Sequence, residues 1–261
     1  MITNLQIGYN GRLGNQMFQF AMLLGVADKN ILSISIPKVN TTLNENKHWF
    51  QLPDCFDKIK HFLFDDVNPI RIYIERQFEF NRDVFDYSDG TNFAGYFQTE
   101  KYFEHCKKEI RELFEFNYDV QKEAREFLKQ FTKETVVLNI RRGDYAKYPQ
   151  HHPILPKDYY TNTISEHFTD KHYDFICVSD DIPWCKNEFP ALKFVEGKSI
   201  YMQLCILTMV DNVIMANSSF SWWGAWLNQK VKKVIAPNLW FGEALKQHDL
   251  KDLYCKEWIR M

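Results

Sequence analysis

The chain has 261 residues, with 32 Lys plus Arg against 34 Asp plus Glu, and 45% of its residues are hydrophobic. Those proportions belong to a globular chain and exclude a disordered or fibrous one. A formal charge of −2 lacks the basic excess that a general nucleic-acid binder needs to meet phosphates. The six cysteines form no C-x-x-C pair and no Cys/His cluster has zinc-ligand spacing, so a reduced setting without structural zinc is expected. The start MITNLQIGYNGRLGN has neither the basic opening nor the apolar core of a signal peptide. The charge-free stretch 212–229 carries Asn217, Ser218, Ser219, Ser221 and Asn228, which a lipid-facing helix would leave unsatisfied. The expectation is a soluble cytoplasmic chain, with attachment to the surface of the inner membrane left open.

In chain order, residues 5–9 read as a short buried strand and 14–29 as a helix, apolar at Met17, Phe18, Ala21, Leu24 and Gly25. A second strand over 31–36 stops at Pro37, and the polar run 40–46 reads as loop. The stretch to about residue 89 has no clean periodicity. A strand is expected over 92–97, then helices over 101–116 and 120–131. The run TVVLNI (135–140) is β-branched and continuous, as in a parallel strand buried on both faces. Beyond it come a helix over 157–168, strands over 173–178 and 213–216, helices over 200–209 and 221–228, and a strand over 233–236. This alternation predicts an α/β sheet. A boundary near 131–134 gives two α/β domains, 1–132 and 133–261, with ligands expected where strands end.

Four strand ends carry polar, phosphate-compatible sequence. The first is Gly8-x-x-Gly11-x-x-Gly14, followed by Asn15 and Gln16. Glycines there let backbone N–H groups approach an anion at a helix N-terminus, or serve only as a tight turn. The spacing is not G-x-G-x-x-G, and the second strand ends without the acid that a dinucleotide fold uses. The second is Arg141-Arg142-Gly143-Asp144-Tyr145. Guanidinium forks suit phosphates, and strand alternation sends the two arginines to opposite sides; the competing reading is an internal Arg–Asp ion pair. The third is Ser179-Asp180-Asp181, whose carboxylates suit ribose hydroxyls, a base N–H or Mg²⁺, or simply cap a helix. The fourth is Asn217-Ser218-Ser219-Phe220, opening a segment with Trp222, Trp223 and Trp226. Its hydroxyls and N–H groups suit a phosphate and Phe220 suits stacking; the competing reading is a capped core helix.

Together GRLGNQMFQFA (11–21), LNIRRGDY (138–145), SDDIPWC (179–185) and NSSFSWWGAWLN (217–228) resemble the α-1,2-fucosyltransferases of glycosyltransferase family 11, in the right order along nearly the whole chain. Tyr96-Phe97-Gln98 and Tyr102-Phe103 also fit that pattern. The resemblance implies a GT-B-type fold of two facing Rossmann-like domains, an acceptor-side one first and a GDP-fucose-binding one second. It implies inverting transfer of fucose from GDP-β-L-fucose to a galactoside 2-hydroxyl, with no cofactor and no metal. Carried over by motif, Arg141 or Arg142 binds the diphosphate, Asp180 contacts the nucleotide, and Ser218, Ser219 and Phe220 belong to the donor pocket. Gly14 and Asn15 sit on the first domain's loop. One departure stands out: Asn139 occupies a position where the family commonly has His. The expected partners are GDP-fucose and a galactoside-containing oligosaccharide.

Such a transfer builds charge on the leaving diphosphate, which arginines and helix N–H groups stabilise, so Arg141 and Arg142 are assigned as catalytic. Asp144 is the first candidate for a general base, or else braces an arginine; His151 and His152 are weaker candidates, and a mechanism without a base remains open. The competing functions are a non-catalytic module that binds fucose or a nucleotide sugar, and a dinucleotide oxidoreductase suggested by the glycine loop.

Overall fold

In the computed structural model, which describes residues 1–38, 50–169 and 173–261, contacts divide the chain into two units. One is Met1–Asn117 with Asp249–Leu253, the other Tyr118–His248 with Tyr254–Met261. The loop expected over 40–46 lies outside the described residues.

The first unit is built on α1 (Leu13–Asn30). No charge interrupts this helix before Asp28, and Met17, Phe18, Phe20, Ala21, Met22, Leu23 and Val26 are all buried, as expected of a helix apolar nearly all round. At Gly25 an added Cβ would stand 1.9 Å from the Tyr102 carbonyl oxygen, so backbone packs directly on helix there. Short parallel pairs lie alongside: β1 (Ile36–Pro37) with β2 (Leu63–Phe64), and β3 (Arg71–Ile74) with β4 (Thr91–Ala94). Single bridges Ile2–Ile34 and Thr3–Asn92 link the amino terminus into this arrangement. Between β1 and β2 come α2 (Leu52–Cys55) and a 3₁₀ turn at Asp57–Phe62.

Three expectations are corrected in this unit. Residues 5–9 are a turn, not a strand; Gly8 and Gly11 adopt left-handed φ of 86° and 85°, and Tyr9 and Asn10 donate their N–H groups back to the Gln6 carbonyl. The strand expected over 31–36 shrinks to the Ile34 bridge and β1, because Ile31 is spent as a left-handed helix cap (φ 53°) that donates to Ala27. The helix expected over 101–116 breaks into 3₁₀ turns at Glu100–Tyr102 and Glu104–Cys106 before α3 (Lys107–Leu113). The break lets Tyr102, Phe103 and Cys106 all reach the core.

The second unit opens with α4 (Tyr118–Leu128), which packs on α7 (Ile200–Leu207), so the division falls ahead of the boundary expected at 132–133. Its sheet comprises β5 (Glu134–Ile140), β6 (Tyr173–Ser179), β7 (Lys193–Phe194), β8 (Asn212–Ile214), β9 (Lys233–Ala236) and β10 (Ile259–Arg260). All pairs are parallel, in the order β10-β9-β8-β5-β6-β7. Helices α5 (Lys157–His167), α6 (Ile182–Glu188) and α8 (Ser219–Leu227) complete the alternation with α7. Val136, Leu138 and Ile140 of β5 pack with Tyr160, Phe168, Cys177, Cys185, Ile214 and Ile235 in one core cluster. At Gly224 an added Cβ would lie 2.5 Å from Leu207 Cβ, which shows how closely α8 approaches α7. Trp222 and Trp223 are fully buried, so the packing reading of those tryptophans holds. Among the described residues no helix is long and apolar enough to cross a membrane.

Candidate functional site

The strand order reverses direction at β5: successive strands run out to one side as β6-β7 and to the other as β8-β9-β10. Loops leaving β5 and β8 at such a point diverge and open a crevice at the carboxyl ends of the strands. The Arg141–Tyr145 loop and the Asn217–Phe220 loop are those two.

Arg141 is drawn toward two acids. One terminal nitrogen lies 2.8 Å from Asp180 Oδ2 and the other bonds Asp144 Oδ1. Arg142 donates its backbone N–H to Asp180 Oδ1 (2.9 Å) and its Nε–H to Asp181 Oδ2 (3.0 Å), with its guanidinium carbon 3.8 Å from the centre of the Trp184 ring. Asp181 also caps α6, accepting from Trp184 N at 3.2 Å. The competing reading of each loop is thus seen directly: the arginines are internally paired, and Asp181 is a helix cap. Asp144 is seen bracing Arg141. The pairing needs Gly143, where an added Cβ would come within 2.5 Å of Asp180 Oδ2. Each arginine side chain keeps about a fifth of its surface exposed (19% and 23%), so the forks are fixed yet reachable. Held this way, the two guanidinium planes are fixed by the protein's own acids.

On the β8 side, Ser218 caps α8 by accepting from Phe220 N at 3.3 Å, and Ser219 and Phe220 are half-buried in the first turn. Asn217 is buried and donates to the carbonyls of Pro153 (2.9 Å) and Trp240 (3.2 Å). The two loops are joined by Tyr145, whose hydroxyl donates to the Asn217 carbonyl at 2.9 Å. Burial pushes that phenol up to about 12, so it stays protonated as a donor. The Tyr145 ring stacks on His152 at 5.0 Å between centroids. Burial pushes the His152 imidazole below its usual value, against the opposite pull of Asp144, so it is neutral at pH 7.

Sequence alone gives Tyr145 and Trp184 no role, although RRGDY and SDDIPWC contain them. An aromatic residue four positions from Arg141 is the signal that points to Tyr145; Trp184 stands 42 positions from Arg142 and meets it only through the fold. Asn139 lies within the sheet, donating to the Val178 carbonyl (3.2 Å) while its own carbonyl accepts from Tyr160 (3.1 Å).

In the first unit Gly14 is buried in the opening turn of α1. Asn15 lies over Gly11, where an added Cβ would fall 2.2 Å from its Nδ2, and accepts from Gln98 Nε2 at 3.0 Å. Gln16 and Gln19 hold the same loop, donating to Gly11 O (3.2 Å) and Asn10 O (3.3 Å). The structure thus gathers Arg141, Arg142, Asp144 and Asp180, sets Ser218, Ser219 and Phe220 on the neighbouring strand's loop, and places Gly14 and Asn15 in the other unit. Among the described residues no three or more His, Cys, Asp or Glu side chains are gathered so as to hold a metal ion.

A family model described as Glycosyl transferase family 11 matches residues 2–261. The Escherichia coli alpha-1,2-colitosyltransferase is 36% identical over 188 residues, covering 65% of this chain and 62% of that protein. The O-antigen biosynthesis glycosyltransferase WbnK of Escherichia coli is 26% identical, covering 89% of this chain and 93% of its own length. The human galactoside alpha-(1,2)-fucosyltransferase 1 is 22% identical; the chain spans 64% of its length. Among solved structures, POFUT1 in complex with GDP superposes with a TM-score of 0.58 at 12% identity, covering 89% of this chain and 96% of that one. The NodZ alpha-1,6-fucosyltransferase soaked with GDP-fucose gives 0.55 at 10% identity, covering 91% and 94%. These likenesses show the fold, an α/β chain of the GT-B type.

Proposed function

Since the chain belongs to glycosyltransferase family 11, we propose that it moves L-fucose from GDP-β-L-fucose to the 2-hydroxyl of a galactoside within an O-antigen-type oligosaccharide, with inversion and without a metal. On this reading the non-catalytic module and the dinucleotide oxidoreductase are set aside. The observation that carries it is the Arg141–Arg142 pair, fixed by Asp144, Asp180 and Asp181 at the point where the sheet reverses.

As the bond from the anomeric carbon to the diphosphate breaks, negative charge grows on the departing oxygens. The two guanidiniums and the N–H groups opening α8 are set to receive that charge, and being pre-ordered they do so without a reorganisation cost. Asp144, bound to Arg141, acts as a brace. His152 stays neutral at pH 7, and burial makes it a weaker base than a free imidazole.

A second reading keeps the reaction and changes the sugar. The 36% identity to a colitosyltransferase favours it. Colitose is fucose lacking the 3-hydroxyl, so the two donors differ by one hydrogen-bonding group, which a polar pocket can discriminate strongly. Incubation with each nucleotide donor and a panel of galactosides, followed by NMR of the product, tests both readings. A 2-linked product from either donor, unaffected by EDTA, is expected. No transfer from either donor would overturn the reading, and activity lost to chelator and restored by Mg²⁺ or Mn²⁺ would overturn its metal-free part.

A further inference from the structure

The Tyr96-Phe97-Gln98 motif lies in a turn whose shape the donor-side chemistry leaves unexplained. β3 and β4 end in register at Ile74 and Ala94, and one residue further on the Glu75 side chain packs closely on Gly95. The Glu75 carboxylate accepts two consecutive backbone N–H groups, Tyr96 at 2.6 Å and Phe97 at 3.0 Å. Gly95 makes this possible: an added Cβ would lie 2.4 Å from Glu75 Cβ. Phe97 is fully buried with φ of 56°, in the left-handed region that a bulky residue rarely enters. Such strain persists only where its surroundings over-determine it, and here they are the carboxylate on its N–H and the rings of Tyr73, Phe93 and Tyr102 around it.

The turn then grips the glycine loop twice. Gly95 O accepts from Gln19 Nε2 (3.1 Å), which also donates to Asn10 O (3.3 Å). Gln98, one residue after the strained position, donates from Nε2 to Asn15 Oδ1 at 3.0 Å.

We propose that Glu75 is a positioning residue, clamping the Gly95–Gln98 turn so that Gln98 holds the Asn15 side chain in its working orientation. This rests on the reading above, in which the Asn15 loop serves the transfer reaction. Burial pushes the Glu75 carboxyl up to about 7 against the two backbone N–H groups that favour its charge, and Glu75 in turn helps to raise the neighbouring phenols of Tyr73, Tyr96 and Tyr102. The closed turn therefore holds the Glu75 proton more tightly than an open, hydrated one would, so the clamp weakens as pH rises through neutrality.

The test uses the full chain with Glu75→Gln, Gln98→Ala and the double variant. Amide exchange by mass spectrometry should quicken roughly tenfold over 8–16 and 95–98 in both single variants, with 134–140 unchanged. The kcat should fall more than KM changes, the decline of kcat as pH rises through 7 should flatten in Glu75→Gln, and the double variant should lose no more than the worse single one. Unchanged exchange over 8–16, or additive losses, would overturn the proposal. If Glu75→Gln fails to fold, Gln98→Ala alone decides: it must loosen 8–16 or the link to Asn15 is refuted. If the wild type transfers neither sugar, the functional reading fails, while the exchange measurement still settles the clamp.

Discussion

Replacing Arg141 by Lys puts the central contact under the sharpest strain. The guanidinium reaches Asp180 at 2.8 Å with one terminal nitrogen and Asp144 with the other, an arrangement that a single ammonium cannot reproduce. With 19% of the arginine side chain and 24% of Asp180 exposed, the site is enclosed enough for such bonds to matter. Losing one charge-assisted hydrogen bond costs about 1.5–3 kcal/mol. If the whole loss is felt as the diphosphate departs, kcat/KM drops about 10- to 150-fold. The assay is initial-rate transfer to a galactoside, with GDP affinity by calorimetry and thermal unfolding measured alongside. Arg141→Lys should weaken both turnover and GDP binding; the Arg141→Lys, Arg142→Lys double variant should lose more. A folded double variant with near-normal kcat/KM would falsify the scheme. So would a loss confined to the melting temperature with GDP affinity intact, since that would make the arginines ties between β5 and β6 and nothing more.

Asp181→Asn keeps a cap for α6 but removes the charge opposite Arg142, so it should unfold close to wild type while its GDP affinity changes; Asp181→Ala should lose about 1 kcal/mol more in denaturant titration. Gly25→Ala drives a methyl onto the Tyr102 carbonyl at 1.9 Å and should destabilise the chain by roughly 1–3 kcal/mol, read as an earlier urea midpoint with an unchanged slope. Glu75 titrates near 7 instead of 4.5, so the folded chain binds its proton more tightly than the unfolded one. The stability this contributes is complete below about pH 4.5 and is lost by about pH 7, up to about 3 kcal/mol in all, and Glu75→Gln should flatten that part of the stability–pH curve.

Much of the second unit could be read in advance. TVVLNI and KVIA are short, β-branched runs of strand length, and β5 and β9 lie there. Side chains that follow such strands fall at sheet ends, so position marks Arg141, Asp180 and Ser218 as candidates, while their roles come from the family resemblance. The first unit was harder, because its pairs are two to four residues long and too short for a period to show.

What the chain's own pattern determines is which segments are buried and which loops carry polar chemistry, because periodicity records burial. It does not record partners. Asp180 lies 38 residues from Arg142 and meets it only because the β5–β6 register sets Ile140 beside Ser179. Glu75 looked like one more charge in an unpatterned stretch until the β3–β4 pairing brought it against Tyr96 and Phe97. Left-handed turns at Ile31 and Phe97 went unforeseen for the same reason: residues without intrinsic preference for that conformation adopt it only where tertiary packing and hydrogen bonds outweigh the local cost.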